Sequence, residues 1–219
     1  MASELELAYI GGLFDGEGTL TIGKLKPKPH VYGGLKNPSY MLRFQIVQQD
    51  RWILDWCQSV VGLGHVTGSN VVNKINDTLY CGKMGYWQAG GKTAYAIISV
   101  LRPWVRVKKA QVELGIMFYE TSGWRRWRET PHGETLKRAA FYHVIRALNK
   151  GAGHVDKAGE LLGYPNSVAE DNQQPSHSNI ANIVEWKVQR LMDEDAITNK
   201  SNTSARPERE DIVRACEKS

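Results

Sequence analysis

The sequence predicts an α+β fold: a four-stranded antiparallel sheet with helices packed on one face. Three observations predict it. Segments 18–28 and 39–49 alternate apolar and polar residues at the period of a strand. A third stretch, 65–90, sets aromatic residues between Gly, Asn and Asp punctuation. From Lys92 onward apolar residues recur at helical spacing. The implied order is helix, two strands, helix, two strands, helices. Helices on one face of such a sheet leave the other face polar and open.

The elements follow in order. Ser3 and Glu6 make a capping-box pattern ahead of an apolar run from Leu5 to Phe14, which starts the first helix. That run ends on Asp15-Gly16-Glu17-Gly18, with Gly16 suited to a left-handed helix C-terminus and Glu17 just beyond it. In "GTLTIGKLKPK" the parity of the polar residues flips at Gly23, so a bulge there would put the threonines and lysines on one face. "SYMLRFQIVQQD" sets Leu42, Phe44 and Ile46 against Met41, Arg43 and Gln45. "RWILDWCQSVVGLG" reads as a helix ending at glycine, and 65–90 as two strands joined by a turn near Asn73 to Asp77. Three helical segments follow: "KTAYAIISVL" up to Pro103, "VRVKKAQVELGIMFYETS", and "GETLKRAAFYHVIRALNK" after Pro131.

Beyond Lys150 the composition shifts to small and polar residues, with one or two helical turns near Lys157 to Leu162. A helix over "NIANIVEWKVQRLMDEDA" and a last short one in "REDIVRACEKS" complete the chain. Residues 1–150 are therefore read as the core and 151–219 as an acidic, partly helical extension packed on it.

The 219 residues carry a net charge of +5. Residues 1–150 hold 20 Lys and Arg against 11 Asp and Glu, and residues 151–219 hold 8 against 12. Basicity concentrated in the part with the motif is compatible with a polyanionic partner. No apolar run approaches the ~20 residues of a membrane helix, and the acidic start "MASELELA" has the pattern of neither a signal nor a transit peptide. The expected location is the cytoplasm or an organellar matrix. Cys57, Cys81 and Cys216 are odd in number and widely spaced, which suggests neither a disulfide framework nor a zinc knuckle. "GLGHVTG" lacks the third glycine of a dinucleotide site, and "DGEGTLTIGK" lacks the acid that closes a calcium loop.

Gly11 and Gly12 cost about 1 kcal/mol each in helix propensity, a loss that close approach of another backbone would explain. Glu17 past a helix C-terminus meets the negative end of the macrodipole, so a cation it holds would explain its place there. "YIGGLFDGEG" resembles the LAGLIDADG motif of homing endonucleases, with Gly-Glu-Gly in place of Ala-Asp-Gly. "FQIVQQDRWILD" and "VGLGHV" are similar to the second strand and following helix of single-motif members, and "LRPWVRVKKAQ" to the segment with their active-site lysine. The resemblance spans roughly residues 5 to 150.

The resemblance implies the following. The fold is that of the homing endonucleases, with the sheet as a saddle on DNA. With one motif per chain, the active unit is a homodimer whose first helices meet through Tyr9, Gly11, Gly12, Leu13 and Asp15. Glu17 and the Gly16 carbonyl hold Mg²⁺, with Mn²⁺ able to substitute and Ca²⁺ binding without cleavage. Lys108 is the active-site lysine, with Lys109 as competitor. Gln48 is the active-site glutamine, with Gln49 as runner-up. Arg51 is the candidate for the basic residue beside it. Double-stranded DNA is contacted by Thr19, Thr21, Lys24, Lys26, Lys28, Arg43, Gln45, Thr67, Ser69, Lys83 and Trp87. The implied activity is a metal-dependent double-strand break in a long pseudo-palindromic target, by an intron-encoded enzyme. Two other readings stay open: an RNA-binding maturase that assists intron splicing, and a non-cleaving DNA-binding protein.

Overall fold

In the computed structural model the chain is described over residues 2–27, 37–75, 78–122, 130–151, 154–164 and 177–204, with backbone alone at 69–75, 78–82, 177–178 and 199–204. Helix α1 (Glu4–Glu17) leads into β1 (Gly18–Leu25), then β2 (Ser39–Gln48), α2 (Arg51–Val61), β3 (His65–Ile75) and β4 (Thr78–Gly90). Helices α3 (Gly91–Leu101), α4 (Lys109–Ser122), α5 (His132–Lys150), α6 (Val155–Leu162) and α7 (His177–Ser204) follow. The four strands form one antiparallel sheet in the order β1-β2-β4-β3. The α+β class and the four-stranded antiparallel sheet are as the sequence predicts.

Local chemistry explains the start. Ser3 caps α1: its hydroxyl accepts from the Glu6 N–H, and the Glu6 carboxylate accepts from the Ser3 N–H at 2.8 Å. The core lies between the sheet and the helices, with Leu20 and Ile22 of β1, Leu42, Phe44 and Ile46 of β2, and Trp87 of β4 all buried against Phe14, Ile97, Ile98 and Val144. Phe14 stacks on Phe44 at 5.2 Å, and Phe44 meets Trp87 edge-on at 5.0 Å. Helices α6 and α7 join the same cluster through Val155, Ala158, Ile180, Ile183 and Val184.

Several expectations are corrected. No bulge interrupts β1: its pairing with β2 runs unbroken from Gly18 opposite Ile46 to Leu25 opposite Ser39. Gly23 instead makes room for Arg43, whose Nε would lie 2.8 Å from a Cβ there. Lys24 therefore shares the parity of Leu20 and Ile22, not that of Thr19 and Thr21. It is exposed because it lies at the far end of the strand, where its ammonium sits 5.9 Å from the Tyr40 ring. Helix α4 begins at Lys109 rather than near Val105, because Trp104 to Lys108 pack against α1 instead. Helix α7 is longer than predicted at both ends. Residues 209–219, read above as a last helix, lie outside the described residues.

Gly11 is where the close approach inferred for the paired glycines occurs, and the approaching group belongs to the same chain. A Cβ at Gly11 would stand 2.6 Å from the Trp104 Cβ and 3.0 Å from its carbonyl, whereas one at Gly12 would meet nothing within 4 Å. Gly11→Ala is expected to destabilise the fold by about 1–3 kcal/mol, a steric cost larger than the roughly 1 kcal/mol of helix propensity recovered. Urea denaturation measures the difference.

Candidate active site

Helix α1 and strand β1 are joined without a loop. Glu17 is the last helical residue, not one beyond the helix, and Gly16 is helical rather than left-handed. The turn into the strand is made at Gly18, whose backbone is extended (φ −79°, ψ 154°) and whose N–H donates to the Phe14 carbonyl. A Cβ on Gly18 would collide with the ring and carbonyl of Phe14, so steric room and not dihedral freedom demands glycine there.

The helix end is held by the segment after α3. Asp15 Oδ2 accepts the Arg106 N–H at 2.7 Å and Oδ1 accepts the Lys108 N–H at 2.8 Å. This clamp delivers the Lys108 ammonium to the open carbonyls of α1, where it donates to Phe14 at 3.1 Å, to Asp15, and to Gly16 at 3.5 Å. A cation on a helix C-terminus is stabilising through the macrodipole. Burial holds the Lys108 pKa below the ordinary lysine value, while the charges of Asp15 and Glu17 pull it back up. Lys108 is thus a cation beside Glu17 supplied by the chain itself. Part of the local cost of an acid at a helix C-terminus is met within the monomer. Of the two lysines the sequence offered, Lys108 is the one whose ammonium reaches this point, and Lys109 opens α4.

Gln48 approaches the same place from β2. Gly18 pairs with Ile46, so Gln48, two residues further on and paired with Gly85, runs level with the Gly16–Glu17 end of the helix. It shares the parity of Ile46 and so lies on the helix side of the sheet. Arg51 makes its contacts elsewhere: its Nε is 3.3 Å from Asp55, and a Cβ at Gly68 of β3 would stand 3.9 Å from its guanidinium.

The open face of the sheet carries Thr19 and Thr21, Arg43 and Gln45, Thr67, and three residues the sequence reading had not placed there: His65, Tyr86 and Gln88. Gln88 Nε2 donates to Thr67 Oγ1 at 3.3 Å. The missed residues follow from parity once Trp87 is known to face the core, but β4 has aromatics at both parities, which hides the choice.

Trp87 is a correction. It is fully buried beneath the helices and its indole N–H donates to the Leu63 carbonyl at 2.9 Å, so it cannot touch a ligand on the open face. Lys83 and Lys24 are exposed but lie on the parity opposite the open face. Lys26 follows the end of β1. Lys28 and the side chain of Ser69 lie outside the described residues.

The dimer set divides in two. Gly11 is covered by Trp104, Asp15 is clamped to Arg106 and Lys108, and Leu13 is half-buried against the core, so these serve the chain's own packing. That corrects Gly11 and Asp15, because their faces are occupied. Tyr9 and Gly12 are exposed and line up with exposed Leu5 and Gly16 at helical spacing, along one stripe of α1.

Magnesium takes hard oxygen ligands and retains several waters. One chain offers the exposed Glu17 carboxylate and the adjoining Gly16 carbonyl at the same helix end. Their chemistry fits the ion. Among the described residues no three His, Cys, Asp or Glu side chains gather. Among the described residues no helix is long and apolar enough to cross a membrane.

No protein-family model and no curated protein matches the chain. Among solved structures it is similar to the homing endonuclease I-CvuI in complex with a DNA target, with a TM-score of 0.44 and 16% identity over 84% of this chain and 95% of that one. It is similar also to an archaeal intron-encoded homing endonuclease, I-Vdi141I, complexed with DNA (TM-score 0.33, 13% identity, 84% and 97% covered). A further match is the homing endonuclease I-TnaI (TM-score 0.27, 16% identity, 85% and 99% covered). In its motif and among solved structures alike, this chain resembles the LAGLIDADG homing endonucleases.

Proposed function

We propose that the chain is a site-specific DNA endonuclease acting as a homodimer, with residues 1–150 as its catalytic core and 151–219 as an extension packed on that core. One observation carries the reading. Helix α1 ends on an exposed carboxylate beside a fixed ammonium, and two residues later the chain enters an open sheet face of hydrogen-bonding side chains. Acid, cation and reading surface are one continuous structure.

The stripe of Leu5, Tyr9, Gly12 and Gly16 is where two copies meet about a two-fold axis, bringing both Glu17 side chains together. Two carboxylates about 4 Å apart repel by roughly 4 kcal/mol at an effective dielectric near 20, a penalty that a divalent ion reverses. Glu17 and the Gly16 carbonyl of each copy would hold Mg²⁺, which when bound lowers the pKa of water and neutralises charge at a phosphodiester. Lys108, anchored on three carbonyls, keeps its ammonium beside the scissile phosphate. Gln48, level with the helix end, orients water. Arg51 remains the candidate for the neighbouring basic role, reached by swinging away from Asp55. On the open face Arg43 suits a guanine edge, and Gln45 and Gln88 suit adenine. A two-fold dimer makes the target pseudo-palindromic.

The test is selection of cleaved molecules from a plasmid library with randomised inserts. The expected result is linearisation at one recovered sequence with Mg²⁺ or Mn²⁺, binding without cleavage in Ca²⁺, and a dimer in sedimentation. Cleavage that survives chelation of all divalent ions overturns the reading.

A further inference from the structure

Residues 102–108 join α3 to α4 as neither helix nor strand, and Lys108 is the last of them. The connection is tied at both ends. Trp104 and Val105 donate their N–H groups to the Leu101 carbonyl at 2.9 and 3.2 Å, and the Lys108 carbonyl accepts the Val112 N–H of α4 at 3.1 Å. Between those ties Val105 is buried, but Arg106 and Val107 are exposed, so burial does not hold the backbone just ahead of Lys108. Asp15 holds it. Its two carboxylate oxygens accept the N–H groups of Arg106 and Lys108 at 2.7 and 2.8 Å, the short distances of charge-assisted bonds.

Asp15 also holds the other end of the same lysine. Its main-chain carbonyl accepts from the Lys108 ammonium, which donates further to the carbonyls of Phe14 at 3.1 Å and Gly16 at 3.5 Å. An ammonium has three N–H donors, and here each has an acceptor. The Phe14 ring lies 5.8 Å from the charge. A side chain that is ordinarily flexible is thus fixed at its backbone and at its tip by one residue of α1.

The choice of an acid for this task has a local cost. Asp15 is half-buried in the last turn of α1, where the macrodipole disfavours an anion. Joining the two segments does not require it, because Trp104 already packs on Gly11. Accepting two N–H groups at once does. An Asn side chain offers one accepting oxygen and one donating amide, so one of the two N–H groups would face another donor.

We infer that Asp15 is a positioning residue for cleavage, acting through Lys108 and not on DNA itself, a role that rests on the nuclease reading. Set in place before DNA arrives, the Lys108 ammonium needs no reordering at the phosphate. A displacement of about 1 Å in such a group can cost roughly 100-fold in rate.

The experiment compares the full wild-type chain with Asp15→Asn, Lys108→Met, the two together, and Ser3→Ala, on the target recovered by the plasmid selection. Asp15→Asn is expected to lower the single-turnover rate at saturating protein by about 10–100-fold while binding in Ca²⁺ is retained. Added to Lys108→Met, the same change is expected to lower the rate by no more than about twofold, because the two residues act as a unit. Ser3→Ala removes the cap at the opposite end of α1, and is expected to lower stability in urea without slowing cleavage. In the chain free of metal and DNA, Asp15→Asn is expected to speed amide hydrogen exchange at Arg106 and Lys108 by about tenfold or more, as read by NMR. Asp15→Glu keeps the charge and both oxygens but moves them by one methylene, and is expected to slow cleavage with the same dependence on Lys108. It serves in place of the amide variant should that one not fold. Cleavage at the wild-type rate, a full loss repeated on top of Lys108→Met, an equal slowing in Ser3→Ala, or unchanged exchange at both amides overturns the positioning role while leaving the nuclease reading intact. A wild-type chain that cuts no target overturns both.

Discussion

Glu17→Gln is expected to lower cleavage by at least about 100-fold while DNA binding is retained or strengthened. The floor comes from comparison with outer-shell partners of metal ligands, whose loss already costs 10–100-fold. Amide and carboxylate have nearly the same shape, and Glu17 is exposed, so the fold is not expected to change. The charge is what differs. On the proposed function each copy loses one negative charge close to the phosphates, which favours association with DNA. On the same reading it loses an anionic ligand that a neutral amide oxygen replaces poorly for a hard divalent cation. A second consequence falls on Lys108. Glu17 is one of the two charges that raise its pKa against burial, so in the variant that pKa moves further down. Cleavage at several divalent-ion concentrations, beside binding in Ca²⁺, measures both parts. Cutting at the wild-type rate would reject Glu17 as a metal ligand. Loss of binding together with cutting would place Glu17 in the structure and not in the chemistry.

Trp87→Ala is expected to cost about 3–5 kcal/mol of folding stability. That is a large share of the 5–15 kcal/mol that separates typical domains from their unfolded state. Trp87 is fully buried and edge-on to Phe44, and its indole N–H holds the Leu63 carbonyl at the end of α2. Gly64 depends on the same ring, since a Cβ there would sit 2.7 Å from the indole nitrogen. Trp87→Phe is expected to lose less, because most of the apolar contact survives and one hydrogen bond, worth about 1 kcal/mol, does not. Urea denaturation measures both variants. Were Trp87 a DNA contact, stability would hold and only binding would fall.

Period and punctuation made much of this chain legible. The capping box at Ser3 and Glu6 is visible three letters apart, and the alternation of β2 shows which of Leu42 and Arg43 faces the core, because both signals are local. A short motif with an acid at its end likewise marked Glu17. The parity of β1 and β4 was not legible. In β1 an apparent flip at Gly23 mimicked a bulge, and in β4 Tyr86 and Trp87 offered aromatics to both faces. Each was decided by cross-strand pairing, which put Thr21 opposite Arg43 and Trp87 opposite Ile46.

What the sequence determined by itself is the order of elements, the α+β class and the place where the first helix gives way to the first strand. What only the tertiary structure decided is who partners whom around that junction. Lys108 lies more than ninety residues from Asp15, and Trp104 as far from Gly11, yet both meet α1 in the folded chain. The physical reason is range. Helix caps and strand alternation depend on neighbours a few residues apart, whereas the filling of a glycine's missing side chain and the anchoring of an ammonium on helix carbonyls depend on packing between distant segments. No local pattern records that packing.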